Sequence, residues 1–365
     1  MQKLNIALIL EQTLGHITHA QNLQACLNTE PHLQPHWIEV PFDLSPYQAR
    51  LPLYNNWSVR ASWRARRSLN ALGVERMDGV FFHTQVTSLF SIDLMHRVPT
   101  VISLDATPLN YDTLGTYYNH KPDGDGAIDS LKFWLNRHAF HAAVALVTWS
   151  DWVRRSLIAD YSVDPERIHV IPPGIHIDDW TSAPRVPHDG PVRILFVGGD
   201  FKRKGGPLLL EAWRQHLRDR AELHIVTQSE VAPEPGIHVY YGLKPNSPAL
   251  RQLFFAADIF ALPTLGDTLG IVFAEAGAAQ LPTVSTAIAG IPEVVCHGES
   301  GLLCPPGDIN AFAAALSQLV DNPDMRALMG IRAGEIVAAH FDARKNTRRL
   351  VQLLSECAEK RKFQN

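Results

Sequence analysis

The stretch VRILFVGGDFKRKGGPLLLEAW, residues 192–213, contains one complete strand, loop and helix of the predicted fold. It begins with an apolar, β-branched run, continues through a glycine-containing basic loop, and ends in an apolar segment of helical length. Such a succession is typical of a parallel βα unit. If it recurs along the chain, the protein is a doubly wound α/β protein.

Short apolar runs do recur on both sides of this stretch. They lie at residues 4–10, 36–42, 79–84, 100–105, 145–150 and 168–173 before it, and at 222–227, 237–242, 258–263 and 282–287 after it. Several are apolar throughout, as expected of strands covered on both faces. A polar, proline-rich segment at 181–191 separates the two sets and is typical of a linker. We therefore predict an α/β protein with two Rossmann-like, doubly wound parallel-sheet domains that face a central cleft.

The composition excludes several classes of protein. Of the 365 residues, 46% are hydrophobic and 19% charged, which is typical of a soluble globular protein. A net charge of −4 gives no general attraction to nucleic acid. The cysteines at 26, 296, 304 and 357 show no metal-type pairing and no disulfide density, and no apolar run is long enough to span a membrane. We expect a cytoplasmic protein.

A second stretch, PTLGDTLGIVFAEAGAAQLP, places Asp267 at a turn and Glu275 eight residues later within an apolar helix. That spacing separates two carboxylates by about 12 Å along a helix axis, comparable to the sugar-to-ribose distance in a nucleotide-diphosphate sugar. The unpaired amides of a helix start favour a diphosphate, and three residues stand there: Leu269, Gly270 and Ile271. The alternative is that Asp267 only caps the helix and Glu275 lies at its edge.

Two loops that follow predicted strands offer further anion-binding groups. In the loop after residues 192–199, Lys202, Arg203 and Lys204 precede a glycine pair and a helix, where cations are unfavourable unless an anion binds. In the loop after the first strand, Gly15 and His16 mark the start of a helix, where a glycine permits close approach of a ligand. The alternatives are a solvated basic turn and a glycine needed only for the turn.

Four blocks taken together resemble family 4 of the retaining glycosyltransferases, which have the GT-B fold. They are SDWVRRSLIADYSVDPERIHVIPPGI (150–175), ILFVGGDFKRKGG (194–206), DTLGIVFAEAGAAQLPTV (267–284) and GIPEVVCHGESGLLCPPGD (290–308). The resemblance is strong in the C-terminal half and weak in the N-terminal half. It implies domains at 1–185 (acceptor) and 186–342 (nucleotide-sugar donor), with a helix at 343–365 that crosses back to the first domain.

The resemblance also implies roles for individual residues. Glu275 matches the glutamate that binds the ribose, Asp267 stands where the family has a glutamate on the donor sugar, and Lys204 matches the lysine on the donor phosphates. The remaining donor contacts implied are Gly15 with the adjoining His16, Leu269, Gly270 and Ile271. Three departures are the shortened Asp267, Gly199 in place of an arginine, and His176 in place of an aspartate. Arg203 is a candidate for the missing cation.

In the N-terminal half, Asp105 falls roughly where the family has a histidine near the donor sugar and acceptor. It either orients an acceptor hydroxyl or caps the following turn near Thr107. His83, after another strand, is interpreted as a histidine at the edge of the core.

A basic, tryptophan-containing segment lies at residues 55–72. A helix there would place Arg60, Arg64 and Arg67 on one face beside Trp57 and Trp63, as in a helix that lies on a membrane surface or contacts an anionic acceptor. The alternative is a solvated basic helix with two core tryptophans.

These observations predict a retaining, metal-independent hexosyltransferase that uses a UDP- or GDP-sugar as donor and needs no cofactor. The acceptor is a sugar or a lipid-linked hydroxyl in glycolipid or polysaccharide synthesis, with possible contact to the inner face of the membrane as a peripheral protein and no role for nucleic acid. No histidine pair has a carboxylate partner in sequence, so no metal site is expected. The alternatives are a non-catalytic nucleotide-sugar-binding subunit and a sucrose-synthase-like enzyme with a small soluble acceptor.

Overall fold

Two six-stranded parallel sheets form the centre of the computed structural model, which describes residues 3–362 except 14, 45–49, 51–53, 119–121, 123, 125 and 182–187. The first sheet contains β1 (Leu4–Gln12), β2 (Leu33–Pro41), β3 (Gly79–His83), β4 (Thr100–Leu104), β5 (Ala145–Thr148) and β6 (Ile168–Val170). The second contains β7 (Val192–Val197), β8 (Ala221–Val226), β9 (Ile237–Tyr240), β10 (Ile259–Leu262), β11 (Thr283–Thr286) and β12 (Gly301–Cys304). The predicted α/β class with two parallel sheets is confirmed.

Helices follow or connect most strands. They are α1 (His16–Leu27), α2 (Trp57–Leu72), α3 (Ile92–Met95), α4 (Pro108–Leu114), α5 (Ala127–Ala142), α6 (Asp151–Ala159), α7 (Asp178–Thr181), α8 (Gly206–His216), α9 (Pro248–Ala256), α10 (Ile271–Ala278), α11 (Ile309–Asp321), α12 (Pro323–His340) and α13 (Ala343–Lys362). Side chains accept the first free amides of several of them: Ser150 at α6, Ser247 at α9, Asp308 at α11 and Asn322 at α12.

The chain divides into two compact units, each with one sheet. Unit 1 comprises Met1–Thr113, Pro122–Gly174 and Ala343–Asn365, and unit 2 comprises Leu114–Lys121 and Ile175–Asp342. The main division therefore falls after Gly174, earlier than the expected boundary at 185, because the segment after β6 already belongs to unit 2. Most of the predicted linker at 181–191 lies outside the described residues.

Both faces of the unit 1 sheet are covered by apolar side chains, which explains the continuous apolar runs of its strands. On one face, Ile9 and Phe82 pack with Ala65 of α2 and Phe140 of α5. The opposite face packs against α1 and α13, which contribute Leu23, Leu27, Leu350 and Leu354. Helix α13 is therefore part of the core of unit 1.

Each sheet has one position where the order of strands reverses. The orders are β2-β1-β3-β4-β5-β6 in unit 1 and β12-β11-β10-β7-β8-β9 in unit 2. The chain leaves β1 toward β2 on one side and returns to β3 on the other, and it does the same around β7, where β8 and β10 are the two neighbours. Loops diverge at such a point and leave a crevice beyond the carboxyl ends of the strands, where ligands of open α/β sheets bind.

Candidate functional site

The loops after β7 and β10 lie against each other at the reversal point of unit 2. Gly205, the residue before α8, has a φ of +78°, and a Cβ there would lie 1.9 Å from the carbonyl oxygen of Pro263. Any larger residue would force the two loops apart. The Leu265 amide also donates to the Arg203 carbonyl oxygen at 2.9 Å. The basic loop and the acidic segment that follows β10 are therefore brought together.

Lys204 and Asp267 form an ion pair at this point. The Lys204 ammonium contacts Oδ2 of Asp267, and only 14% and 10% of the two side chains are exposed. Burial lowers the pKa of Lys204, whereas the charge of Asp267 raises it. Removing either partner of such a buried pair destabilises the protein, because the other charge is then left buried without a counter-ion.

Arg203 lies beside this pair and contacts three groups of unit 2. Its guanidinium donates to the Gly266 carbonyl oxygen at 2.6 Å and to the Tyr118 hydroxyl at 3.2 Å, and it lies 4.6 Å from the centre of the Tyr118 ring. Its Nε is 3.4 Å from Oδ2 of Asp200. The guanidinium plane is therefore held in a fixed orientation, as a group that binds phosphate must be.

These contacts correct one sequence expectation. Lys202, Arg203 and Lys204 were expected to be unfavourable before α8 without a bound anion, but the protein supplies its own anions. Asp267 pairs with Lys204 and Asp200 pairs with Arg203, while Lys202 is exposed to solvent. Two of the three cations are therefore neutralised before any ligand binds, and the third is solvated.

Helix α10 begins without a side-chain cap. Gly270 precedes it with a φ of +73°, and no side chain accepts its first amides. A Cβ at Gly270 would lie 2.7 Å from the Phe273 ring and 3.0 Å from Oδ2 of Asp267. The interpretation of Asp267 as the helix cap is thus wrong, because Gly270 holds that position. Leu269 is buried just before it, and the amides from Ile271 onward begin the helix with its positive dipole end.

Glu275 lies in the second turn of α10 and is 5% exposed. No hydrogen bond or ion pair joins its carboxylate to any residue within the described ranges. Burial raises the pKa of Glu275 to about 7. A buried carboxylate without a protein partner is unfavourable for stability and is typical of a functional site. The role of Glu275 in ribose binding remains a prediction, and its burial without a protein partner is consistent with it.

The two other departures from the family pattern also lie in unit 2. Gly199 is exposed, and a Cβ there would meet only the Gln228 side chain at 3.8 Å. The position lacks the cation of the family, and Arg203 is the neighbouring guanidinium. His176 is partly buried, and its Nε2 has no hydrogen-bond partner among the described atoms.

A second group of polar side chains occupies the reversal point of unit 1. Nδ1 of His16, at the start of α1, is 3.1 Å from Nε2 of His83, at the end of β3. Nε2 of His16 is 3.8 Å from Oδ2 of Asp105, after β4. His16 thus lies between a carboxylate and a second imidazole. An imidazole in this arrangement can position a hydroxyl group or transfer a proton.

His83 and Trp149 fix the base of this group. The His83 ring is fully buried and stacks on Trp149, with ring centres 5.5 Å apart and an angle of 11° between planes. Burial lowers the pKa of His83 well below its usual value, and the charges of His16 and His19 lower it further. The burial of His83 agrees with its interpretation as a histidine of the core edge. Its contact with His16 was not predicted from the sequence. The sequence signal for this contact was the position of His83 at the carboxyl end of a buried strand.

The structure also describes Gly15 and Thr107 of unit 1, which the sequence analysis singled out. At Gly15, a Cβ would meet no atom within 4 Å and φ is −67°, so neither close packing nor backbone conformation requires glycine there. At Thr107, the hydroxyl accepts the Asn110 amide at 3.0 Å, and Asn110 Oδ1 accepts the Thr107 amide at 3.2 Å. This reciprocal pair caps α4, and Asp105 is left facing His16.

The cavity next to His19 is too small for a sugar. Its volume is about 20 Å³, and its walls include Asn22 and Gly174 of unit 1. This space accommodates one water molecule, whereas small-molecule sites have roughly 300–1,000 Å³. Nδ1 of His19 has no protein partner among the described residues.

The expected basic face of α2 is not formed. Arg60 is 2% exposed, donates to the carbonyl oxygens of Tyr54 and Phe42, and lies 5.0 Å from the Trp57 ring. Arg64 bonds Pro41 and Asp43. Of the five residues predicted for this surface, only Trp63 and Arg67 are exposed, and the Arg67 guanidinium lies 5.6 Å from the centre of the Trp63 ring. The prediction that Arg60 and Arg64 face a membrane or acceptor is wrong, because the chain after β2 uses them to satisfy its carbonyl groups.

Comparison with known proteins gives the class. The chain resembles three solved structures over nearly its whole length: a glycosyltransferase from Rickettsia africae (TM-score 0.71, 15% identity, 98% of this chain and 99% of that chain), a sucrose-phosphate synthase from Thermosynechococcus elongatus (0.73, 17%, 97% and 99%), and Anabaena HepE in complex with UDP-glucose (0.70, 15%, 96% and 99%). At these identities the likeness shows the fold, which is GT-B.

Sequence comparison gives the family. The family model described as Glycosyltransferase Family 4 matches residues 25–179, and that described as Glycosyl transferases group 1 matches residues 191–322. The chain belongs to the family 4 type of GT-B glycosyltransferases.

Two curated relatives show how far the match extends. A D-inositol 3-phosphate glycosyltransferase of Thermobispora bispora is 29% identical over 267 residues, which cover 65% of this chain and 62% of that protein. An alpha-maltose-1-phosphate synthase of Mycolicibacterium smegmatis is 27% identical over 300 residues, 72% and 74% of the two chains. The match with the first relative thus covers less than two thirds of its length. Within the described residues, no helix combines the length and apolarity needed to cross a membrane.

Proposed function

We propose that this protein transfers a hexosyl group from a nucleotide-diphosphate sugar to an acceptor hydroxyl with retention at the anomeric carbon. One observation carries the proposal. The reversal point of unit 2 combines Lys204 and Arg203 with the uncapped start of α10, and α10 also carries the unpartnered carboxylate of Glu275. Cations and free amides suit a diphosphate, and a carboxylate suits the hydroxyls of a ribose.

In the proposed reaction, the acceptor oxygen forms a bond to the anomeric carbon as the bond to the diphosphate oxygen breaks. The acceptor proton passes to the departing diphosphate. Lys204, Arg203 and the amides after Gly270 stabilise the negative charge that develops there, in the role that a divalent ion has in other transferases. His16 and Asp105 orient the acceptor hydroxyl, and Asp267 contacts the donor sugar after it has left Lys204.

The names of relatives guide the choice of substrates. The structure of HepE contains UDP-glucose, so UDP-sugars are the first donors to test, followed by GDP- and ADP-sugars. D-inositol 3-phosphate appears in the name of one relative and maltose 1-phosphate in that of another. Phosphorylated polyols and sugars are therefore the first acceptors, and lipid-linked sugars of glycolipid or polysaccharide synthesis are the second.

The test uses the full chain with each donor, in the presence of EDTA, and measures release of nucleoside diphosphate with and without acceptor. We expect slow donor hydrolysis without acceptor and faster turnover with the correct one. Proton NMR of the product reports the anomeric configuration. Turnover that requires a divalent ion, or an inverted product, would contradict the corresponding part of the proposal.

A non-catalytic nucleotide-sugar-binding role is the second candidate, and one observation favours it. Lys204 is already occupied by Asp267, and Gly199 provides no further cation. Under this alternative, nucleoside diphosphates raise the melting temperature by mass action, but no donor is consumed. A sucrose-synthase-like activity is tested in the same assay with fructose and fructose 6-phosphate as acceptors.

We propose that α5, rather than the predicted α2, contacts a membrane surface. Ile128, Leu131 and Trp134 lie three residues apart on α5 and are 72%, 55% and 50% exposed. Lys132 and Arg137 belong to the same helix, and such a mixture favours an interface with anionic lipid. In vesicle sedimentation, the double variant Leu131→Ser and Trp134→Ser should lose binding. The variant Leu328→Ser, at an exposed leucine of α12, should retain it. Equal binding by both variants would exclude α5.

A further inference from the structure

Strand pairing at one edge of the unit 2 sheet brings together three side chains that are typical metal ligands. Glu222 and His224 are two residues apart on β8, so both point to the same face. In the parallel register His224 lies beside His238 of the edge strand β9. The three side chains belong to the middle and amino-terminal half of their strands, away from the loops that carry Lys204 and Asp267.

The potential ligand atoms converge. Nε2 of His224 and Nε2 of His238 each lie 3.8 Å from Oε2 of Glu222, and one ligand atom from each residue lies within 4.8 Å of the others. Ligand atoms bound at about 2.0–2.2 Å to a tetrahedral zinc ion lie roughly 3.3 Å from one another. The rings of His224 and His238 are stacked, with centres 4.8 Å apart and 24° between their planes, so both must rotate toward Glu222 to direct a lone pair at one ion.

The hydrogen bonds around His224 favour this role. Nδ1 of His224 is 2.9 Å from the Tyr240 hydroxyl, whereas its Nε2 is buried and has no hydrogen-bond partner among the described residues. When Nδ1 carries the proton and donates it to Tyr240, Nε2 presents a lone pair toward Glu222. Metal-binding histidines are generally held by such a second hydrogen bond through the other ring nitrogen.

We infer that Glu222, His224 and His238 form a binding site for a divalent transition-metal ion, with zinc as the best fit. Two imidazoles and one carboxylate form a ligand set that zinc accepts, with solvent in the fourth position. The exposed His238 gives the ion a path from solvent. The ion would connect the edge strand β9 to β8, so its role is structural or regulatory and separate from the proposed transfer reaction.

One neighbouring cation opposes binding. Arg193 of β7 is paired in register with Glu222, and its guanidinium donates to the Ala256 carbonyl oxygen at 3.5 Å. The positive charge on this side makes the site weaker than one with an additional carboxylate. His188, the next nearest histidine, is held by Asp258 at 2.9 Å.

The test measures binding of zinc and cobalt to the full chain after treatment with EDTA. We expect one ion per chain by elemental analysis after gel filtration, a rise in melting temperature, and the visible absorption of four-coordinate cobalt. His238→Gln should weaken binding by more than the roughly 10–100-fold expected for loss of an outer hydrogen bond. Tyr240→Phe should weaken it within that range.

The matched control is His216→Gln, at an exposed histidine of α8 in the same unit. The His238 side chain is 48% exposed, so its variant should keep the far-UV spectrum and the metal-free melting temperature of the parent. Equal binding by the parent, His238→Gln and Glu222→Gln would overturn the site, as would a six-coordinate cobalt spectrum unaffected by these changes. Because donor binding is measured without metal, failure of this site leaves the proposed function untouched.

Discussion

The ammonium group of Lys204 contacts the carboxylate of Asp267, and both side chains are largely buried at the carboxyl ends of the neighbouring strands β7 and β10. The proposed diphosphate site therefore already contains an anion that belongs to the protein. Binding of a donor requires Lys204 to exchange that carboxylate for a phosphate oxygen. The strength of nucleotide binding should thus depend on the competition between the two anions.

Replacement of Asp267 by asparagine should tighten the binding of nucleoside diphosphates while it slows transfer. The competing charge is removed from Lys204, and a hydrogen bond to a charged group is worth about 1.5–3 kcal/mol, so we expect roughly tenfold tighter binding. Calorimetry measures the affinity and product analysis measures the rate. Asp219→Asn, at an exposed site, is the control. Weaker binding by Asp267→Asn would show that the two anions do not compete.

Replacement of Lys204 by methionine should weaken nucleotide binding by about 10–100-fold, because a charge-assisted contact is lost. The variant should also unfold more easily, since Asp267 is left buried without its partner. Lys202→Met is the matched control two residues away, at an exposed position. Calorimetric titration and thermal denaturation separate the two effects. Equal affinities of the two variants would remove Lys204 from the site.

Glu275→Gln should stabilise the free protein at high pH and weaken nucleotide binding. Burial raises the pKa of Glu275 from 4.5 to about 7, so the native state holds a proton that the unfolded state releases. Stability conferred by the protonated form is present below pH 4.5 and is lost as the pH rises toward 7. At 1.36 kcal/mol per pKa unit, the variant gains at most about 3 kcal/mol above pH 7.

Urea denaturation at pH 4.5 and pH 8 checks this dependence, with Glu230→Gln at an exposed position as the control. The advantage of Glu275→Gln should be present at pH 8 and largely absent at pH 4.5. A constant difference between variant and parent at both pH values would indicate that the carboxylate is ionised throughout.

Asp105→Asn and His16→Asn should slow transfer without changing nucleotide affinity. The two side chains are 3.8 Å apart in unit 1, whereas the diphosphate groups are assigned to unit 2. We expect a fall in turnover of about 10²-fold or more if they position the acceptor hydroxyl. His32→Asn, at an exposed histidine of the same unit, should retain full activity. Loss of nucleotide affinity in these variants would reassign the pair to donor binding.

Arg60→Ala should destabilise the fold, whereas Arg67→Ala on the same helix should have little effect. Arg60 is buried, satisfies two carbonyl groups and lies against Trp57, so its loss should cost about 2–4 kcal/mol. Arg67 is exposed, and its loss should stay within roughly 0.5 kcal/mol. Denaturant unfolding of both variants measures this. Equal free energies of unfolding for the two variants would indicate that Arg60 faces outward, as predicted from the sequence.

The sequence predicted most of the architecture because parallel strands are recognisable by their apolar runs. The predicted C-terminal helix at 343–365 corresponds to α13 (Ala343–Lys362). Strand β12, with the sequence GLLC, was missed because it contains no β-branched residue and lies between polar turns, so it lacks the pattern that marked the other strands.

The candidate site was only partly predictable. Residue type and spacing select Lys204, Asp267 and Glu275 as site residues. They do not reveal the ion pair of the first two or the burial of the third. The Lys204–Asp267 pair depends on how Gly205 and Pro263 pack. The contact of His16 with His83 joins two residues that are 67 positions apart in sequence. Likewise, the burial of Arg60 reflects carbonyl groups of the chain after β2, which no helical pattern reveals.

Because α13 contributes Leu350, Leu354 and Cys357 to the same core as Ile6 and Leu8 of the first strand, the amino-terminal half of the chain has to await its partner during synthesis. On a ribosome, β1 to β6 emerge long before residue 357 does, and one face of their sheet is covered only in part, by α1, in the meantime. The main segment of unit 2, Ile175–Asp342, is translated within that interval. The protein therefore depends on late closure of its earliest-made sheet, a period in which chaperones would find exposed apolar surface.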